Sequence, residues 1–203
     1  MSTIRSHDEY STQELKGITQ KDDHLQAVIF NDCTFLRCAF NETVFQACQF
    51  SHCTFKDCDL SLVKLKDSSF TNTRFEHCRL IGVNWADTTW SRNRFVHHAD
   101  FVDCILNLST FSGLDMKKTT LTRCVAREVD FTDANLSQSV CTHSDFSASR
   151  FVHTNLTEAD FSGASNYTIP ANLNTLKKTK FSLPEAMSLL YSLDIVLVED
   201  PER

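Results

Sequence analysis

The sequence predicts an all-β solenoid, a tube wound from five-residue units, and three observations predict it. Large apolar residues recur every five positions over most of the chain. A small residue stands two places before nearly every one of them. The composition is skewed to match, with 16 Phe and 9 Cys against 4 Gly and 3 Pro in 203 residues.

Steps of five from Leu25 reach Phe30, Phe35, Phe40, Phe45, Phe50, Phe55, Leu60, Leu65, Phe70, Phe75, Leu80, Trp85, Trp90 and Phe95. The phase then slips by one residue, through Val96, His97, His98, Ala99 and Asp100, to Phe101. It resumes as Leu106, Phe111, Met116, Leu121, Ala126, Phe131, Leu136, Cys141, Phe146, Phe151, Leu156 and Phe161. Of the 16 Phe, 15 lie in this frame, and Phe181 is left outside it. A period of five fits neither a helix at 3.6 nor a strand at 2. Two inward residues in every five require a corner in every unit. Four units then make a square coil of twenty residues. Twenty-eight units give about seven coils, a rod roughly 34 Å long at the usual strand spacing.

The second slot explains the cysteines. Eight of the nine, among them Cys33, Cys38, Cys48 and Cys53, sit two residues before a central residue, and Cys141 is itself central. They read as small buried fillers rather than disulfide partners. His52, His77, His143 and His153 fall at outward positions and cannot share a metal with inward thiols, so no metal site is expected. The pair His97-His98 at the slip reads as solvated. No phosphate loop, nucleophile elbow or carboxylate pair stands out. A filled tube has no catalytic pocket, so neither an enzyme nor a cofactor is expected.

The two ends depart from the frame. Residues 1–24 read as a polar lead-in and cap, 25–164 as the coil, and 165–203 as a C-terminal module. In that module Ser182 and Glu185 have capping-box spacing around Pro184, which predicts a short helix. Ile195 to Val198 reads as a short strand. Phe181, Leu183, Ala186, Met187, Leu189, Leu190, Leu193, Ile195 and Leu197 offer more apolar surface than one cap requires, which predicts a two-fold homodimer interface. The start MSTIRSHDEY has no apolar stretch behind a basic one, and no run is long enough to span a bilayer, so a soluble, cytoplasmic protein is expected. A net charge of −6 disfavours direct nucleic-acid binding and leaves basic partners open.

Segments such as Ala134-Asn135-Leu136-Ser137-Gln138 and Ala159-Asp160-Phe161-Ser162-Gly163 resemble the repeat signature of the pentapeptide-repeat proteins. Within that family the chain is similar to the topoisomerase-poison resistance group, and most of all to albicidin-resistance proteins. The residues that carry this are Cys58-Asp59-Leu60-Ser61-Leu62, Gly82-Val83-Asn84-Trp85, Cys104-Ile105-Leu106-Asn107, and the non-repetitive stretches 181–186 and 192–195. More distantly it resembles the microcin B17 immunity and quinolone-resistance proteins. The resemblance implies a right-handed quadrilateral β-helix that dimerises through its C-terminal module. It further implies a mimic of duplex DNA that binds DNA gyrase and relieves topoisomerase poisons, with topoisomerase IV left open as a second target. The quinolone-resistance members carry projecting loops and this chain shows a one-residue slip, so albicidin-like poisons are the expected range, ahead of quinolones. A scaffold with no topoisomerase role is the alternative.

Residues 25–163 hold 16 acidic and 13 basic side chains. From Glu128 onward the balance shifts, with Glu128, Asp130, Asp133, Asp145, Glu158 and Asp160 facing one base, Arg150. These six form the expected gyrase-contact belt, on the coils nearest the expected dimer interface.

Overall fold

The computed structural model describes residues 3–90, 96–193, 195, 196 and 198. Most units place a short extended segment on one wall with its middle side chain turned inward. The named strands are β1 (Glu9–Ser11), β2 (Glu14–Lys16), β3 (His24–Gln26), β4 (Ile29–Asn31), β5 (Thr34–Leu36), β6 (Val44–Gln46) and β7 (Gln49–Ser51). They continue as β8 (Thr54–Lys56), β9 (Ser69–Thr71), β10 (Thr73–Glu76), β11 (Ala99–Val102), β12 (Leu121–Thr122), β13 (Asp160–Phe161) and β14 (Lys180–Phe181).

All pairing is parallel and, on most of the rod, offset by twenty residues. The first wall stacks Tyr10, Phe30, Phe50 and Phe70. The second stacks Leu15, Phe35, Phe55 and Phe75. Single bridges build the third wall through Thr19, Ala39, Asp59 and Arg79, and β3 with β6 begins the fourth. At this spacing the rings of successive coils lie face to face. Phe35, Phe55, Phe75 and Phe101 stack with centroids 4.3, 4.9 and 5.3 Å apart.

The corners explain how so few glycines suffice. Among the described residues, twenty-seven non-glycine positions, Asp32, His52 and Asp57 included, have left-handed backbone. Such backbone costs on the order of 1 kcal/mol per residue. It is held by the ladder: the corner N–H of Asp32 donates to Ser51 O at 2.9 Å, and that of His52 to Thr71 O at 2.8 Å.

The small slot is more than filler. All nine cysteines are free and buried. The Sγ atoms of Cys38, Cys48, Cys53 and Cys58 donate to the carbonyls of Leu15, Leu25, Phe30 and Phe35 at 3.2–3.5 Å. Ser68 does the same to Phe45 O at 2.9 Å and also accepts from the N–H of Cys48 at 3.0 Å. The slot therefore favours a small side chain with a donor: Cys, Ser or Thr.

Several expectations are corrected. The ladder does not start at Leu25, because β1 and β2 pair twenty residues on and Ile4, Leu15 and Ile18 are buried. The central slot there holds Tyr10, Leu15 and Gln20. Gln20 masks the frame because it is polar. Its amide closes the end of the tube, accepting from Ile4 N at 2.7 Å and donating to Ile4 O at 2.9 Å.

The slip is larger than one residue. Phe75 pairs with Phe101, an offset of 26, so the coil holding residues 91–95 is six residues longer than its neighbours. Phe95 lies outside the described residues. Around this coil His98 is not solvated but 5% exposed, with Nδ1 3.2 Å from Phe70 O and its ring 4.8 Å from that of Trp90.

The coil also continues past Phe161, through Asn155 with Thr175 and Phe161 with Phe181. Phe181 therefore belongs to the second wall rather than to a separate helix. The coil closes about eight times instead of seven, which makes a rod about 38 Å long.

The helix Glu185–Leu193 is a 3-10 helix with no fully buried residue. The expected capping box does not form, because the preceding coil takes both side chains. Ser182 Oγ accepts from Gly163 N at 3.0 Å, and Glu185 Oε1 accepts from Asn166 N at 2.6 Å. Ile195, Val196 and Val198 are exposed and outside any strand, while Asp194 and Leu197 lie outside the described residues. Among the described residues no helix is long and apolar enough to cross a membrane.

Candidate functional site

Wall and corner positions decide where each carboxylate points. Asp160 bridges Val140 on the second wall, Asp145 bridges Val125 on the third, and Asp130 bridges Thr110 on the fourth. Glu128, Asp133 and Glu158 occupy left-handed corners. The six acids thus encircle the rod instead of lining one face.

Their electrostatics are uneven. Asp145 meets Arg127 at 2.7 Å, Asp160 meets Lys180 at 3.1 Å, and Asp133 lies 3.4 Å from His153. Glu158 accepts from Gln138 at 2.8 Å. Asp130 accepts from the N–H of Thr132 at 2.9 Å and has no ion pair among the described residues. Glu128 has no ion pair among the described residues and is fully outward. The freest negative charges of the belt are therefore Glu128 and Asp130, with Asp133 exposed at the next corner and Glu158 exposed across the rod.

Asp145 is part of the fold as well as of the belt. Burial raises its pKa, but hydrogen bonds from Ser147, Asn166 and Arg127 outweigh that and hold the carboxyl well below the usual carboxylate range. A depressed carboxylate contributes stability that is present above its unfolded pKa of roughly 4 and lost as pH falls through the folded value. We expect the melting temperature of Asp145→Asn to lie below that of the natural protein at pH 7. The two should converge as pH is lowered beneath 4, as read by thermal unfolding across pH. A constant gap would show that the carboxylate does not carry the effect.

The expected dimer residues separate into two sets. Phe181, Ala186, Leu189 and Leu190 are half-buried, and Phe181 and Leu189 pack on the core. Leu183, Met187, Leu193 and Ile195 are exposed, Leu183 at 78%. Tyr191, Val196 and Val198, which sequence reasoning left out, extend this exposed set. At the enlarged coil, His97 Nε2 lies 3.0 Å from Asp100 Oδ2. No group of His, Cys, Asp and Glu among the described residues has the arrangement of a metal site.

Comparison with curated proteins gives no match. Among solved structures the chain is similar to QnrB1, a plasmid-mediated fluoroquinolone resistance protein. The identity is 20%, the match covers 94% of this chain and 100% of that one, and the TM-score is 0.49. It is also similar to HetL, a pentapeptide repeat protein involved in heterocyst differentiation regulation from the cyanobacterium Nostoc sp. That match has 15% identity, 84% and 81% coverage and a TM-score of 0.36. The family described as pentapeptide repeat region matches residues 28–98, and pentapeptide repeats in eight copies match residues 127–164. The matched segments span both arms of the rod and coincide with the stacked walls, so the chain belongs to the pentapeptide-repeat proteins.

Proposed function

We propose that this protein binds DNA gyrase as a rod-shaped mimic of duplex DNA and protects it from topoisomerase poisons, albicidin-like ones first. The observation that carries the reading is the ring of carboxylates around the coils next to an uncovered apolar end. Pairing two chains through that end would set two acidic rings about one axis, a form suited to a basic DNA-binding channel. Carboxylates of this kind also steer association. The resemblance of residues 181–186 and 192–195 to the poison-resistance group supports the same partner. The order of poisons rests on that resemblance alone, because the enlarged coil carries six extra residues and a one-residue slip no longer argues for a narrow range.

The test is supercoiling by purified gyrase. The protein is expected to restore supercoiling in the presence of albicidin at low concentration and to inhibit the enzyme at high concentration. Glu128→Gln combined with Asp133→Asn should weaken gyrase binding about tenfold. The unfolding midpoint should stay unchanged, because both side chains are exposed. If the natural protein neither binds, inhibits nor rescues, the gyrase reading fails and the scaffold alternative stands.

A further inference from the structure

One edge of the rod carries two residues that this fold makes doubly costly. Leu62 and Leu108 stand at corners with φ of 60° and 62°, where bulky side chains are rare, and they are 53% and 60% exposed. The other described corners of the same edge are Asp22, Glu42, Gly82, Glu128 and Ala148. The ladder fixes this column: Leu62 N donates to Ile81 O and Gly82 N to Asn107 O, both at 2.8 Å. Gly82 shapes the edge as well. A Cβ there would lie 2.7 Å from Leu62 Cδ2, so the missing side chain lets Leu62 lie along the rod toward the next coil. Half-buried Ile81 directly precedes the Gly82 corner, and half-buried Ile105 lies further along the third wall beside Arg79, three residues before Leu108.

Charge brackets the strip at both ends. Glu42 stands one coil before Leu62, its N–H donating to Ser61 O at 3.0 Å, and Glu128 stands one coil after Leu108. Neither glutamate has an ion pair among the described residues. The nearby Arg79 and Arg127 are engaged with Asp59 and Asp145. Lys64 on the adjoining wall is outnumbered by Asp22, Glu42 and Glu128.

We propose that the strip of Leu62, Ile81, Ile105 and Leu108 docks a basic amphipathic helix of a partner protein. Two coil spacings separate the leucines by about 10 Å. Side chains seven residues apart on a helix are separated by about 10.5 Å. A helix lying along the edge therefore sets apolar residues i and i+7 beside Leu62 and Leu108, and places Lys or Arg near Glu42 and Glu128. The surface shares Glu128 with the acidic ring, but its apolar strip lies outside that ring and does not depend on gyrase as the partner.

The test uses two labelled synthetic helical peptides of equal positive charge, Lys-rich at both ends. One carries Leu at positions i and i+7, and the other Ser. Fluorescence anisotropy with the full-length protein is expected to show the leucine peptide binding at least about tenfold tighter. The double variant Leu62→Asn/Leu108→Asn should erase that preference. Its melting temperature should not fall, because Asn accepts left-handed backbone more readily. The single variant Leu108→Asn should lose part of the preference and guards against a folding defect in the double one. Equal affinity for the two peptides overturns the proposal, and so does a preference that survives in folded variants. Failure of gyrase rescue leaves this result untouched.

Discussion

Trp85→Ala is expected to lower the unfolding free energy by about 3–5 kcal/mol, the upper range for a core truncation. Trp85 is 1% exposed. Its ring lies 5.2–6.0 Å from those of Phe70, Phe75, Trp90, Phe101 and Phe111. These contacts reach across the enlarged coil, so one side chain joins the two arms of the rod. A loss of this size is a large part of the roughly 5–15 kcal/mol that holds a typical domain. Trp85→Phe separates ring packing from hydrogen bonding. The indole Nε1 is buried without a partner, so the smaller ring loses no hydrogen bond. It should cost less than half as much as the alanine change. Urea unfolding of both variants is the measurement. Equal losses would mean that the indole N–H, rather than the stack, is what the core needs.

Charging the exposed end is expected to dissolve the proposed dimer. Met187→Asp and Leu193→Asp place a carboxylate at positions 42% and 44% exposed, where a single chain can solvate it. Burial of the same carboxylate in an interface would be strongly unfavourable. The sedimentation mass should fall from twice 23.1 kDa to 23.1 kDa, with the thermal unfolding of the coil retained. Protection of gyrase should fall with it, since one acidic ring would remain where two are proposed. Leu190 is a poorer choice because it is half-buried, so a charge there would disturb packing as well as pairing. A natural protein that sediments at 23.1 kDa, or variants of undiminished mass, would overturn the interface.

Much of the tube was legible because the frame is written in large residues from Leu25 to Phe75. The enlarged coil was not, for a physical reason. Six extra residues are one unit plus one, and a period of five counts them as one. The pairings offset by 26, such as Phe75 with Phe101 and Asn84 with Thr110, resolve the difference. Tyr10 and Leu15 were hidden by Gln20 and polar neighbours. Phe181 stands twenty residues after Phe161 but is separated from it by a stretch without aromatic repeats. Ser182 and Glu185 have helix-capping spacing, yet the coil behind them had first use of both side chains. The acidic residues were legible as a charge imbalance, but their partners were not. Steps of twenty would have exposed several of them, including Asp133 with His153 and Asp160 with Lys180.

The enlarged coil also bears on how such a chain can change. Closing a loop of 26 residues instead of 20 costs only about 0.2 kcal/mol more in chain entropy. Phe101 still stacks on Phe75 at 5.3 Å, so the second wall keeps its register across the insertion, while the first-wall ladder stops at β9. Sequence can therefore enter one coil at little cost in chain entropy while the coils before and after it keep their stacking on the other walls. A rod of this kind can gain a new recognition element within a single coil and leave the rest of its length as it is.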